Sequence, residues 1–105
     1  MLKMKISTTK EGTIVALCDS ELIGKVLREG KAVLDLDKYS GFYCGYDIDE
    51  NSAATLRQTE IALKYAKSVN VVGSKALDFV KRMGYNTGGV KYISKVPHLQ
   101  IYRAN

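Results

Sequence analysis

Val69-Asn70-Val71-Val72 runs straight into Gly73-Ser74-Lys75-Ala76-Leu77-Asp78-Phe79-Val80-Lys81-Arg82-Met83-Gly84. Three valines around one Asn read as a short strand. The apolar period then lengthens to 3.6, with Ala76, Leu77, Val80 and Met83 on one stripe of a helix. Gly73-Ser74 is the junction, and Gly84 is placed just past the helix end. Asn86 to Gly89 reads as a turn. Val90 to Ile93 and Leu99 to Arg103 read as closing strands around Lys95-Val96-Pro97-His98. Residues 69–93 therefore form a βαβ-like unit whose strands can run parallel.

Upstream, Met1 to Ser7 alternates apolar and polar residues, as a half-buried strand does. Thr8 to Gly12 is turn chemistry. Thr13 to Cys18 is a continuous β-rich run, read as a strand buried on both faces and paired with the first as an antiparallel hairpin. Asp19 or Ser20 can cap a short turn ended by Gly24. Val26 to Gly30 reads as a loop or another short turn, and Lys31 to Leu36 as a third strand. Tyr39 to Tyr46 reads as a bent strand or tight loop because of its two glycines. Asp49 can cap a helix reaching Lys67 or Ser68, with Leu56, Leu63 and Ala66 on its buried face. The expected fold is α/β (α+β): one compact domain over 1–105, a mixed sheet with an N-terminal hairpin and two main helices.

The chain has 105 residues, 46% apolar and 26% charged, within the ordinary range for a soluble globular protein. That composition excludes collagen, coiled coil and general disorder. No apolar run approaches a membrane span. Sixteen Lys and Arg against eleven Asp and Glu give a net charge of +5, which fits an anionic partner. Cys18 and Cys44 form neither a CxxC pair nor a zinc set. The chain opens on an alternating segment instead of a signal peptide, so a reducing cytoplasm and two free thiols are expected.

Four motifs together resemble a known family. Ala16-Leu17-Cys18-Asp19-Ser20-Glu21-Leu22-Ile23-Gly24 is similar to an A-x-C-D-x-x-L-x-G signature. Phe42-Tyr43-Cys44-Gly45 is similar to F-Y-x-G. Asn70-Val71-Val72-Gly73 is similar to N-x-V-G, and Val96-Pro97-His98-Leu99-Gln100 to V-P-H-x-Q. On these motifs the chain is identified as a member of the archaeal domain of unknown function numbered 424. The resemblance implies an archaeal cytoplasmic protein with a single α/β domain. It supplies no activity. Cys44 stands where the family usually has a small residue, which argues against a family-wide catalytic thiol there.

Three sets of residues carry candidate chemistry. Cys18, Asp19 and His98 would make a Cys–His site if they met at one end of the sheet. The plainer reading is a core thiol and a capping carboxylate. Gly73, Ser74 and Lys75 open a helix whose free N–H groups suit an anion, although no P-loop is present and the glycine is also explained by a tight turn. Pro97 marks a defined turn or edge, and His98 and Gln100 then project from one face of the following strand. Asp35, Asp37, Asp47, Asp49 and Glu50 lack calcium-loop spacing, so no metal site is expected. No cofactor is implied.

The C-terminal half is basic: from residue 64 to residue 103, Lys64, Lys67, Lys75, Lys81, Arg82, Lys91, Lys95 and Arg103 stand against Asp78 alone. Tyr65, Tyr92 and Tyr102 lie among them. Lys and Arg position phosphates and exposed Tyr stacks on bases. The leading expectation is a non-enzymatic module contacting RNA, either ribosomal RNA or tRNA, through Lys64, Lys67, Lys75, Lys81, Arg82, Lys91, Tyr92, Lys95, His98, Gln100 and Arg103. The alternative is a small enzyme or anionic-ligand binder using Cys18, Asp19 and His98. A third is a protein adaptor presenting Tyr39, Phe42, Tyr43 and Tyr46.

Overall fold

The computed structural model describes residues 1–102. The N-terminal hairpin is present: β1 (Leu2–Thr9) pairs antiparallel with β2 (Gly12–Asp19), Leu2 opposite Asp19 and Thr9 opposite Gly12. The Thr9 hydroxyl locks the turn, donating to the Gly12 carbonyl and accepting the Glu11 N–H. The other strands are β3 (Val26–Glu29), β4 (Ala32–Asp35), β5 (Tyr46–Ile48), β6 (Ser68–Val72), β7 (Lys91–Ile93) and β8 (Val96–Tyr102). The helices are α1 (Ser40–Tyr43), α2 (Ala53–Tyr65) and α3 (Ser74–Arg82). One mixed sheet has the order β5-β1-β2-β6-β8-β7, and β3 and β4 pair separately. The expected α/β class, hairpin and two main helices are borne out.

Four local expectations are corrected. The strands of residues 69–93 are not neighbours. β8 lies between β6 and β7, antiparallel to both, and the parallel pair is β2 with β6. β8 holds the inner position, with Pro97 and Leu99 buried on its helix-facing side, so Pro97 sits within a paired inner strand and not at the turn or edge expected of it, whereas two of the three residues of β7 are exposed. Residues 26–30 are not a loop: β3 and β4 form a hairpin, Val26 opposite Asp35. The Gly-rich aromatic stretch forms the short helix α1 and then edge strand β5. Gly45 is required between them, because a side chain there would collide with the Met4 carbonyl. Finally, Ser52 caps α2, its hydroxyl accepting the Thr55 N–H at 3.2 Å, while Asp49 closes a turn by accepting the Asn51 N–H.

Strand alternation sorts the core. Leu2, Met4, Val15, Leu17, Val69, Val71 and Leu99 turn to one face and pack on Leu63 and Ala66 at the end of α2 and Ala76, Phe79 and Val80 of α3. Thr59 is also buried on α2, its hydroxyl satisfied by donating to the Thr55 carbonyl at 2.8 Å. Gly84, at φ +92°, ends α3 as expected: its N–H donates to the Lys81 carbonyl and that of Tyr85 to Val80. On the opposite face, Ala16, Cys18 and Val72 pack on Leu22, Leu36 and Tyr43. The β3–β4 hairpin and α1 thus cover part of that face, reaching Val96 and, through Glu29 and Arg28, Ser94 of the β7–β8 turn, and the stretch along Gln100 and Tyr102 is left open.

Candidate functional site

Parallel pairing of β2 with β6 brings the ends of both strands to the start of α3. Gly73 takes φ +107°, and a side chain there would strike the Asp19 carboxylate. That carboxylate accepts the Lys75 N–H at 3.2 Å and the Ala76 N–H at 2.8 Å. Asp19 is therefore a cap, as its plainer reading held, but for α3 and not for the adjoining turn. The helix start expected to receive an external anion through Gly73, Ser74 and Lys75 is filled by the protein's own carboxylate. The Lys75 ammonium is also engaged, 3.0 Å from Glu21.

The structure does not assemble Cys18 with His98. Cys18 pairs with Val72, and Val72 with His98. The two residues are thus two strand spacings apart, about 10 Å. Cys18 is fully buried, its S–H donating to the Asp19 carbonyl at 3.4 Å. Burial, with the nearby charges of Asp19 and Glu21, pushes its thiol up to about 12. This is the opposite of an activated nucleophile.

The open face beside β8 brings polar groups together. Register places Lys91, His98 and Val72 in one row and Gln100, Asn70, Ala16 and Lys5 in the next. Tyr102 follows opposite Ser68, and its ring is 71% exposed. Gln100 Nε2 donates to Asn70 Oδ1 at 3.0 Å. A recess of about 390 Å³ is lined by Gly89, Lys91, His98, Gln100 and Tyr102, without a carboxylate. Burial, then the charge of Lys91, lowers the pKa of His98 below its ordinary value, so the imidazole is neutral at pH 7. It then carries one donor and one acceptor nitrogen.

The remaining basic candidates are dispersed. Tyr92 pairs with Pro97 and so turns to the helix-bearing face. Lys95 lies in the β7–β8 turn and lines a separate recess with Asp19, Glu21 and Lys75. Lys64 is on α2 beside the Tyr65 ring. The Lys67 N–H is held by the Thr13 carbonyl. Lys81 and Arg82 end α3, and Arg82 is 3.0 Å from both Glu50 and Asp78. Arg103 lies outside the described residues. The adaptor patch is divided: Tyr39 and Tyr46 are exposed, whereas Tyr43 is buried with Phe42 edge-on at 5.0 Å. Of the five acids set aside for metal, Asp47 pairs with Lys3, Glu50 with Arg82, and Asp35 and Asp49 close turns. Among the described residues no group of three His, Cys, Asp or Glu is placed to hold a metal ion. None of the described helices is long and apolar enough to cross a membrane.

Alternation along the sequence places His98 and Gln100 on one face, as found, but counts Lys91 only among the basic residues. It missed Asn70 and Lys5. The signal for Asn70 was present as the one amide in a run of valines, since a buried polar group needs a partner.

The four motifs that carried the resemblance converge. Residues 16–19, 70–73 and 96–100 lie side by side on β2, β6 and β8, and Gly45 abuts β1. The fold is similar to the crystal structure of an uncharacterized conserved protein from Methanopyrus kandleri, an archaeon, at a TM-score of 0.78 and 22% identity. That likeness covers 96% of this chain and 90% of the other. No curated protein matches the chain. Residues 6–104 match the model of the family described as protein of unknown function (DUF424), and with almost the whole chain inside that match, the protein belongs to this family.

Proposed function

We propose that this protein is a binding module for RNA, with ribosomal RNA or tRNA as the ligands to test, and that its contact surface is the open sheet face. The observation that supports this reading is the recess beside β8, where Lys91, His98, Gln100 and Tyr102 meet without an acidic neighbour lining it. Each part suits RNA. Lys91 neutralises a phosphate, the Gln100–Asn70 amide pair and neutral His98 offer donors and acceptors, and the Tyr102 ring is free to stack. The surplus of basic over acidic residues draws a polyanion toward the protein. The mechanism is phosphate neutralisation with limited stacking and hydrogen bonding, and no bond is made or broken.

The test is binding of labelled ribosomal RNA and tRNA to the intact protein at two salt concentrations. Saturable binding that weakens with salt is expected. Lys91→Ala should lower the slope of log affinity against log salt by about 0.7 to 0.9, the value of one phosphate contact. A slope near zero in the intact protein removes the reading.

A further inference from the structure

Resting on the RNA reading above, we propose that the recess beside β8 takes one unpaired base of a single-stranded RNA, stacked on Tyr102 and met edge-on by the Gln100–Asn70 pair. The chemistry of the lining favours a base. Gln100 gives one N–H to Asn70 and keeps its carbonyl oxygen, an acceptor, together with its second N–H. A phosphate only accepts, so it can use the second N–H of Gln100 but makes no use of its carbonyl oxygen. The edge of a base both donates and accepts, and so matches the pair. Neutral His98 offers the same combination on the adjoining row. Lys91 is the lining group shaped for a phosphate, and it stands opposite His98 on the edge strand.

His98, Gln100 and Tyr102 alternate along β8 on one face, so successive side chains stand about 7 Å apart. That is about twice the 3.4 Å step of stacked bases in a duplex strand. The wider step along β8 lets a single base lie on the Tyr102 ring with its edge toward Gln100, and in a base-paired strand that edge is already occupied by its partner. The contact is a recess beside β8, and the β3–β4 hairpin stands over part of the same face. A recess of about 390 Å³ has room for a single base.

The experiment compares three ligands of equal length on the intact protein by fluorescence anisotropy: a single-stranded RNA, its duplex, and an abasic strand carrying the same phosphates. The single strand should bind about tenfold more tightly than either of the others. Tyr102→Ala should cost it about tenfold and leave the abasic strand unaffected. Because the Tyr102 ring is exposed, this variant keeps the core intact. Equal affinity for duplex or abasic strand, or a Tyr102→Ala loss common to all three, overturns the base-binding recess and leaves RNA binding in place. Failure of all three to bind overturns the RNA reading itself.

Discussion

Cys18 lies on β2 with no exposed surface, and its S–H donates to the Asp19 carbonyl. Cys44 is exposed. A thiol reagent should therefore modify Cys44 in the native protein and reach Cys18 only on unfolding. A native Cys18 that labels as fast as Cys44 would contradict the burial. The same environment sets a pH dependence. The thiol of Cys18 is raised from 9.0 to about 12, chiefly by burial. A raised pKa means that the neutral thiol is favoured in the fold. Its contribution is complete below pH 9 and declines as the pH rises toward 12, because the unfolded chain ionises first. The slope from this one group is at most about 1.4 kcal/mol per pH unit. Urea unfolding across that range should show a shallower alkaline decline in Cys18→Ala than in the parent. Identical declines would mean that the thiol ionises as readily in the fold as outside it. His98 works in the other direction. Its pKa is lowered, so the neutral imidazole is favoured, and stability is lost as the pH falls from about 6.5 toward the folded value.

The junction of β2, β6 and α3 shows what was legible in the sequence at the level of elements. Local signals worked. The strand–Gly–helix change of period located β6 and α3, and alternation put His98 and Gln100 on one face. Long-range pairing was not legible. Asp19 reads as the cap of its own turn, yet its carboxylate meets N–H groups 56 and 57 positions along the chain, on α3. Only the parallel pairing of β2 with β6 creates that contact, and the strands carry no local mark of which neighbour each will choose. The same limit placed β7 beside β6 and left Asn70 without its partner Gln100. It also hid the β3 strand, whose alternation is weak because three of its four residues are exposed. The junction supplies its own test. Asp19→Ala should cost about 1–2 kcal/mol, the loss of a helix cap. Gly73→Ala should cost about 3 kcal/mol or more, from its left-handed φ and the collision with the carboxylate. The double variant should cost less than the sum by about 1 kcal/mol or more, since removing the carboxylate removes the collision. Strict additivity in urea midpoints would mean that the two residues do not touch.

At the scale of the whole molecule, net charge and charge placement give different expectations. Reading the sequence as a line makes the C-terminal half one basic surface. Folding divides it between the two faces of the sheet. Lys64, Lys81 and Arg82 are on the helices, which pack on the opposite face from Lys91 and His98. Sheet and helix layers lie about 10 Å apart, and side chains on the outer helix surface lie farther still from the recess. The Debye length in physiological salt is about 8 Å, so exposed charges at that separation are largely screened from one another. Arg82 is in addition paired with both Glu50 and Asp78 at 3.0 Å. Lys81→Ala and Arg82→Ala should therefore leave RNA affinity within about twofold of the parent and its salt slope unchanged, in contrast to the effect of Lys91→Ala. The comparison is made on one RNA across one salt series, so that only the position of the removed charge differs. If Lys81→Ala flattens the slope as much as Lys91→Ala does, the helices contact the phosphates and the open sheet face is not the principal RNA surface. If only Lys91→Ala does so, affinity depends on which face a lysine occupies and not on the net charge.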